Sequence, residues 1–380
     1  MFLGTATSVF VSGLSSATSY YWHVRASNSG GTTYANGGST AFWGFTTVVP
    51  VTAPGVRGDV DGDRKADLST YRPSTGEWLM LKSEGGFTSN SVVGWGLPGD
   101  VPVPGDYDGD DKTDIAVFRP ATGSWRIAWS RTNFATSNGY DWGLAGDVPQ
   151  PADYDGDGKT DIALFRPTTL SWWILTSSTN FVAQVSYAWG LPGDQPVAAD
   201  YDGDGKADLA IYRPTTGGWW ILKSSTNFVN YSEYDYGLIG DVPVPGDYDG
   251  DGKTDIAVYR PTKGEWWIAW SRTNFASHDR YDWGFAGDVP KPADSDGDGR
   301  TDIAVFRPTT GGWWILKSST NFTAYSNYAW GLPGDQLVPA DYDGDGKADP
   351  ATYRPTTGGW WILRSSTNYV SYNESIIPIN

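Results

Sequence analysis

The chain has 380 residues, length enough for two or three ordinary domains, and carries 27 Lys and Arg against 44 Asp and Glu, a net charge of −17. Such a field repels nucleic acid and anionic membrane and attracts cations. The absence of cysteine removes disulfides, thiolate metal sites and a Cys nucleophile, and two histidines leave little room for zinc enzymes or His-based triads.

With 48 Gly, 24 Pro, 21 Trp, 22 Tyr and 14 Phe, and no long helix-periodic segment, the sequence reads as strands joined by tight turns, an all-β protein. No apolar run is long enough to cross a bilayer, which argues against membrane insertion. In chain order, the first expected strands are Ser8 to Val11, Ser19 to Ala26 and Ala41 to Thr47. The string G-L-S-S-A-T-S-Y-Y-W-H-V-R-A-S-N-S-G-G, followed by F-W-G-F-T-T, resembles the last three strands of a fibronectin type III domain. Leu14 and Tyr20 fall where that family has its corner Leu and Tyr. Residues 1–47 thus read as the C-terminal part of such a sandwich, and three strands cannot close a two-sheet core. Either the protein continues upstream of Met1, which would account for the lack of a signal-peptide pattern in residues 1–25, or a partner chain completes the sandwich and offers a route to homo-association. Residues 48–56, V-V-P-V-T-A-P-G-V, read as a short stiff linker.

Beyond the linker the motif D-x-D-G-D-x-[KR]-x-D begins at Asp59, Asp106, Asp153, Asp200, Asp247, Asp294 and Asp341, every 47 residues without insertion or deletion. An Arg-Pro pair (Arg72 through Arg354), a Trp (Trp78 through Trp360), an aromatic-Gly pair and a Gly-Asp pair (Asp100 through Asp335) keep the same register. Each unit holds four expected strands: the V-P-V-P-G-D segment, D-I-A-V-F-R, W-W-I-L-K-S and the stretch ending Y-x-W-G, with the acidic loop joining the first two. Segments such as Ile256 to Tyr259 are apolar at consecutive positions, so both faces of each small sheet are buried and each unit needs a neighbour on either side. Uniform units of this size predict a seven-bladed β-propeller over residues 51–380. The atypical segments Val51 to Gly58 and Ser375 to Pro378 mark the two ends, and one of them is expected to seal the ring. Units two and five share A-W-S-R-T-N-F-A, and units three and six share A-W-G-L-P-G-D-Q, a period of three blades.

The acidic loops have the composition of oxygen-only cation sites. Carboxylates at positions 1, 3 and 5 can converge because Gly at 4 and 6 permits a tight loop, while the position-7 carbonyl and the position-9 Asp complete the shell. The predicted donors are Asp59, Asp61, Asp63, Lys65 and Asp67 in the first loop, and Asp106, Asp108, Asp110, Lys112 and Asp114 in the second. They are Asp153, Asp155, Asp157, Lys159 and Asp161 in the third, Asp200, Asp202, Asp204, Lys206 and Asp208 in the fourth, and Asp247, Asp249, Asp251, Lys253 and Asp255 in the fifth. The sixth has Asp294, Asp296, Asp298, Arg300 and Asp302, and the seventh Asp341, Asp343, Asp345, Lys347 and Asp349. Hard oxygen ligands in a flexible loop favour Ca²⁺ over Zn²⁺ or Mg²⁺, up to seven ions in all. Arg64 and Asp111 stand where the other loops have the position-6 Gly, so loops one and two are expected to be weakest. At Kd values of about 0.1 to 1 mM, calcium at about 1 mM would stabilise the fold by roughly 0.4 to 1.4 kcal/mol per site. Such sites are empty at cytosolic calcium levels, which points outside the cell. The Arg of each Arg-Pro pair is expected to pair with the Gly-Asp carboxylate or cap the loop, and the second Trp (173, 220, 267, 314 and 361) to pack between blades.

The string G-D-Y-D-G-D-G-K-T-D-I-A-V-F-R-P resembles the FG-GAP/VCBS repeat of bacterial secreted proteins, found also in integrin α-subunit propellers and in some fungal lectins. The resemblance implies a calcium-dependent extracellular, secreted or cell-surface propeller used in adhesion or ligand recognition. On this reading the protein is a non-catalytic recognition module for carbohydrate or a cell-surface protein. The alternatives are a structural spacer or fibre subunit and, behind it, a polysaccharide lyase, for which no cluster of Lys, His or Glu breaks the symmetry.

Overall fold

The computed structural model describes residues 58–88 and 90–376, together with the paths of four short strands nearer the N-terminus. The chain divides into two compact units, Met1–Ala53 and Pro54–Asn380. In the first, Ser19–Trp22 pairs antiparallel with Trp43–Thr46, and Arg25–Asn28 with Gly31–Tyr34. The strand expected over Ser19 to Ala26 is therefore two, and Gly31–Tyr34 is additional. The expected strand at Ser8 to Val11, the side chains that carry the fibronectin resemblance, the association route and the linker lie outside the described residues.

The second unit is a seven-bladed propeller of antiparallel sheets whose strands follow chain order within each blade. In blade four they are Gln195–Pro196, Leu209–Arg213, Gly218–Leu222 and Tyr231–Asp235. Leu209, Ala210, Ile211 and Tyr212 are all buried, as the run of consecutive apolar residues requires, whereas the fourth strand alternates exposed and half-buried. The two faces of the central pair go to different neighbours. Leu209 and Ile211 pack with Phe165, Trp172 and Ile174 of blade three, while Ala210, Tyr212 and Trp219 pack with Ile256 and Val258 of blade five. Each such Leu or Ile contributes about 1.5 to 3 kcal/mol through burial.

The ring closes by the same packing. Ala66, Leu68, Leu79 and Phe87 of blade one share a core with Tyr342, Ala351, Trp360 and Ile362 of blade seven. The atypical C-terminal segment takes the ordinary fourth-strand place in its own blade, with Trp360 opposite Ser375 and Gly359 opposite Ile376. Blade one shows three strands among the described residues, and the segment preceding Gly58 lies outside them.

At the far end of the second strand the Arg-Pro register behaves as expected. Arg213 donates from Nε and Nη2 to the two oxygens of Asp194 at 2.8 and 2.9 Å, and its guanidinium lies 3.7 Å from the Trp220 ring centroid. The same bidentate pair joins Arg119 to Asp100, Arg166 to Asp147, Arg260 to Asp241, Arg307 to Asp288 and Arg354 to Asp335. Arg72 of blade one meets Glu77 at 3.4 Å. The six bidentate pairs hold the loops that enter blades two to seven.

Candidate metal centres

The acidic loop is shaped by its own carboxylates. In blade four the Asp200 oxygens accept hydrogen bonds from the amides of Gly203 and Gly205 at 2.6 and 2.8 Å, and both glycines take positive φ, 82° and 84°. Asp204 accepts from the Lys206 amide at 3.0 Å and from Ser224 Oγ at 2.9 Å. Asp208 accepts from the Tyr201 amide at 2.9 Å and from the amide and hydroxyl of Ser224 at 2.7 and 2.8 Å. Ser224 opens a 3-10 turn, Ser224–Thr226, at the end of the third strand. The position-9 carboxylate thus ties the acidic loop to the turn between the third and fourth strands.

Carboxylate oxygens within 4.8 Å of one another form seven groups of three or more among the described residues. They include Asp59 with Asp61 and Asp67, Asp106 with Asp108 and Asp114, Asp153 with Asp155 and Asp161, and Asp200 with Asp202 and Asp208. The fifth pairs Asp247 and Asp249 with Asp251 instead. In the first four, then, positions 1, 3 and 9 converge, and the position-5 aspartates Asp63, Asp110, Asp157 and Asp204 are held from the side by Ser83, Ser130, Ser177 and Ser224. These serines were missed in the sequence, although they keep the 47-residue register.

The donor set fits a cation on one direct observation. Oδ1 of Asp108, Asp202, Asp296 and Asp343, all at position 3, is buried without a hydrogen-bond donor. A buried carboxylate oxygen without a donor is costly, and a hard cation is what such an oxygen lacks. Burial also raises the position-9 carboxylates far above their ordinary range, to about 6 for Asp67, Asp161, Asp208, Asp255 and Asp302 and about 7 for Asp114 and Asp349. Burial likewise raises the position-1 group in Asp106, Asp153, Asp200 and Asp294.

The position-7 residues do more than was expected of them. Each amide donates to the position-5 carboxylate, and each side chain lies across the position-4 glycine of the preceding blade. A methyl group on Gly62 would come within 2.6 Å of Lys112 Cε, one on Gly203 within 2.8 Å of Lys253 Cε, and one on Gly344 within 2.9 Å of Lys65 Cε. Beside these contacts runs a complete ring of backbone hydrogen bonds from the position-8 amide of one blade to the position-1 carbonyl of the one before. Thr113 donates to Asp59, Thr160 to Asp106, Ala207 to Asp153, Thr254 to Asp200, Thr301 to Asp247, Ala348 to Asp294 and, across the closure, Ala66 to Asp341, all at 2.6 to 2.7 Å. The seven loops are one linked circle.

Arg64 and Asp111 adopt φ of 68° and 63°, in the left-handed region, as the missing glycines led us to expect. Asp111→Gly should therefore raise the denaturant midpoint by the equivalent of about 1 kcal/mol. An unchanged or lowered midpoint would show that the loop carries no such strain.

Away from the loops, aromatic side chains of neighbouring blades meet in pairs. Trp189 lies 5.1 Å from Tyr231, Trp283 5.2 Å from Tyr325 and Trp330 5.1 Å from Tyr372, and the three tyrosines are more than half exposed. They form open aromatic ledges.

Residues 153–211, 200–258 and 294–350 match the FG-GAP-like repeat, so the fold and its loops are those of a propeller carrying FG-GAP-like repeats. No curated protein sequence matches the chain. Among solved structures, the chain is similar to a lectin of Agrocybe aegerita described as recognising non-reducing terminal N-acetylglucosamine, at 15% identity and a TM-score of 0.58, covering 78% of this chain and 87% of the lectin. It is similar also to virginiamycin B lyase of Staphylococcus aureus, in a catalytically inactive form with quinupristin, at 10% identity and a TM-score of 0.48, covering 73% and 87%.

Proposed function

We propose that the chain is a non-catalytic, calcium-loaded recognition module that works outside the cell and reads carbohydrate in the grooves between blades. The observation that carries the reading is the set of buried position-3 carboxylate oxygens without a donor, in loops whose remaining groups are also oxygen. Four carboxylates and a carbonyl per loop suit the six to eight oxygens, at about 2.3 to 2.6 Å, that Ca²⁺ takes. Filling all seven would bring the charge from −17 to about −3. Bound calcium would supply neutralising charge to carboxylates that the fold has already positioned through glycine amides and serine hydroxyls. Affinities of about 0.1 to 1 mM, usual for extracellular modules, would leave the loops filled outside the cell and empty inside it.

The carbohydrate half rests on the aromatic ledges at Tyr231, Tyr325 and Tyr372, since an exposed ring beside a second ring offers an apolar platform with a polar tip. The lectin that shares this fold supports the same ligand class. A glycan array probed with calcium present should show binding that a chelator abolishes. The triple change of Tyr231, Tyr325 and Tyr372 to Ala should weaken it at least about tenfold. No glycan bound by the calcium-loaded chain would overturn the carbohydrate half, and no calcium taken up in equilibrium dialysis would overturn the metal half.

A further inference from the structure

Six of the seven centres fall into two groups by the residue 23 positions after the position-3 aspartate, on the turn that follows the third strand, while blade one has Glu84 there, whose amide donates to Asp61 Oδ2 at 3.4 Å. In blades three, four, six and seven it is a serine. Ser178, Ser225, Ser319 and Ser366 donate from Oγ to Oδ2 of Asp155, Asp202, Asp296 and Asp343 at 2.5 to 2.6 Å. In blades two and five it is an arginine. Arg131 Nε stands 3.1 Å from Asp108 Oδ2 and Arg272 Nη1 3.5 Å from Asp249 Oδ2, where the two carboxylates are 6% and 1% exposed. Both of these Oδ2 atoms lack an aligned hydrogen bond.

The arginines are seated. Each guanidinium lies over a tryptophan two residues earlier, at 5.4 Å from the Trp129 ring centroid and 5.0 Å from that of Trp270. Trp129 and Trp270 are themselves buried, and the serine blades have Thr176, Lys223, Lys317 and Arg364 in their place. The tryptophan and arginine occur together or not at all. A ring face beneath the guanidinium keeps it from swinging into solvent when a second cation approaches.

Resting on the calcium reading above, the geometry points to two classes of centre, in which Arg131 and Arg272 compete with Ca²⁺ for the position-3 carboxylate in blades two and five and stand in for it when calcium is scarce. A serine donor leaves the whole carboxylate charge for the metal, whereas a guanidinium takes part of it. A divalent ion and a guanidinium sharing one carboxylate lie about 5 to 6 Å apart, and their repulsion in surroundings close to water corresponds to about a tenfold loss of affinity. The two arginine centres fill after the four serine centres on a calcium titration. With calcium absent, the position-3 carboxylates of the same two loops keep a counter-ion that those of the serine loops lack, so at two places three blades apart the circle stays held.

The test compares the intact chain with Arg131→Ser/Arg272→Ser, which installs the residue of the serine blades, and with Thr176→Trp/Ser178→Arg/Lys317→Trp/Ser319→Arg, which does the reverse and brings the ring seat with it. Equilibrium dialysis against calcium alone reads the filling curve, and thermal melting in chelator reads the calcium-free ring. For the first variant the number of ions at saturation should stay the same, two of them should bind at about tenfold lower calcium, and the melting temperature in chelator should fall. The reverse variant should need about tenfold more calcium for two ions. Filling curves of both variants that superimpose on the unaltered chain would overturn the inference while leaving calcium binding intact. Should the first variant not fold, an unmoved curve for the reverse variant alone would overturn it. An unaltered chain that takes up no calcium removes the calcium reading and this inference together.

Discussion

In chelator the protein should melt at a higher temperature at about pH 5 than at about pH 8, and a few millimolar calcium should reverse the order. The argument runs through the position-9 aspartates. Burial holds Asp208 at about 6 and Asp114 at about 7, against an ordinary value of 3.8, and five further blades repeat the arrangement. A carboxylate raised in the folded state binds its proton there while the unfolded chain has lost it. Its contribution to stability is fully present below about pH 4 and disappears as pH climbs through the folded values of about 6 to 7. On the calcium reading, the ion would take over the same oxygens once the protons leave, so the filled protein should gain stability across the window in which the empty one loses it. At about pH 8 removing calcium should lower the melting temperature by roughly 4 to 15 °C, the summed effect of seven weak sites. Differential scanning calorimetry at the two pH values, with and without chelator, checks the crossing. A melting temperature in chelator that is flat or rises between them would sink the argument.

Much of this was legible because the sequence repeats without a slip. The 47-residue period fixed blade number, the apolar runs at Ile256 to Tyr259 fixed burial on both faces, and the charge of Arg213 could be matched to Asp194 in the same register. The aspartates that converge were visible for the same reason. What escaped notice lies in contacts that no residue type announces. The ring from Thr254 to Asp200, and from Ala66 to Asp341, is made of backbone amides and carbonyls that every residue carries, so Thr and Ala serve equally at position 8. The stem of Lys253 over Gly203 crosses from one unit to the next, and within a unit the glycine is already accounted for by its positive φ. Arg131 was visible in the shared string A-W-S-R-T-N-F-A, but its partner Asp108 lies in a different loop that only the fold brings near.

Replacing a position-9 aspartate should show how far the acidic loops hold the blades themselves. Asp255 is fully buried and accepts from the Tyr248 amide at 2.8 Å and the Ser271 amide at 2.7 Å, and both donor residues are themselves buried. Asp255→Ala strands both, at a cost of about 1 to 3 kcal/mol each, and frees the acidic loop from the turn after the third strand. A total of about 3 to 5 kcal/mol follows, large against the stability of any domain. Asp255→Asn separates structure from metal. Its carbonyl oxygen can still accept from Ser271, so the blade should lose only about 1 to 2 kcal/mol while the loop loses a charged ligand. Denaturant midpoints at about pH 8 should rank the unaltered chain above Asn and Asn above Ala when calcium is present. In chelator the Asn variant should draw level with the unaltered chain or pass it, since a neutral amide escapes the cost of burying an unneutralised carboxylate. An Asn variant that trails by the same margin with and without calcium would mean that Asp255 holds the fold and nothing else.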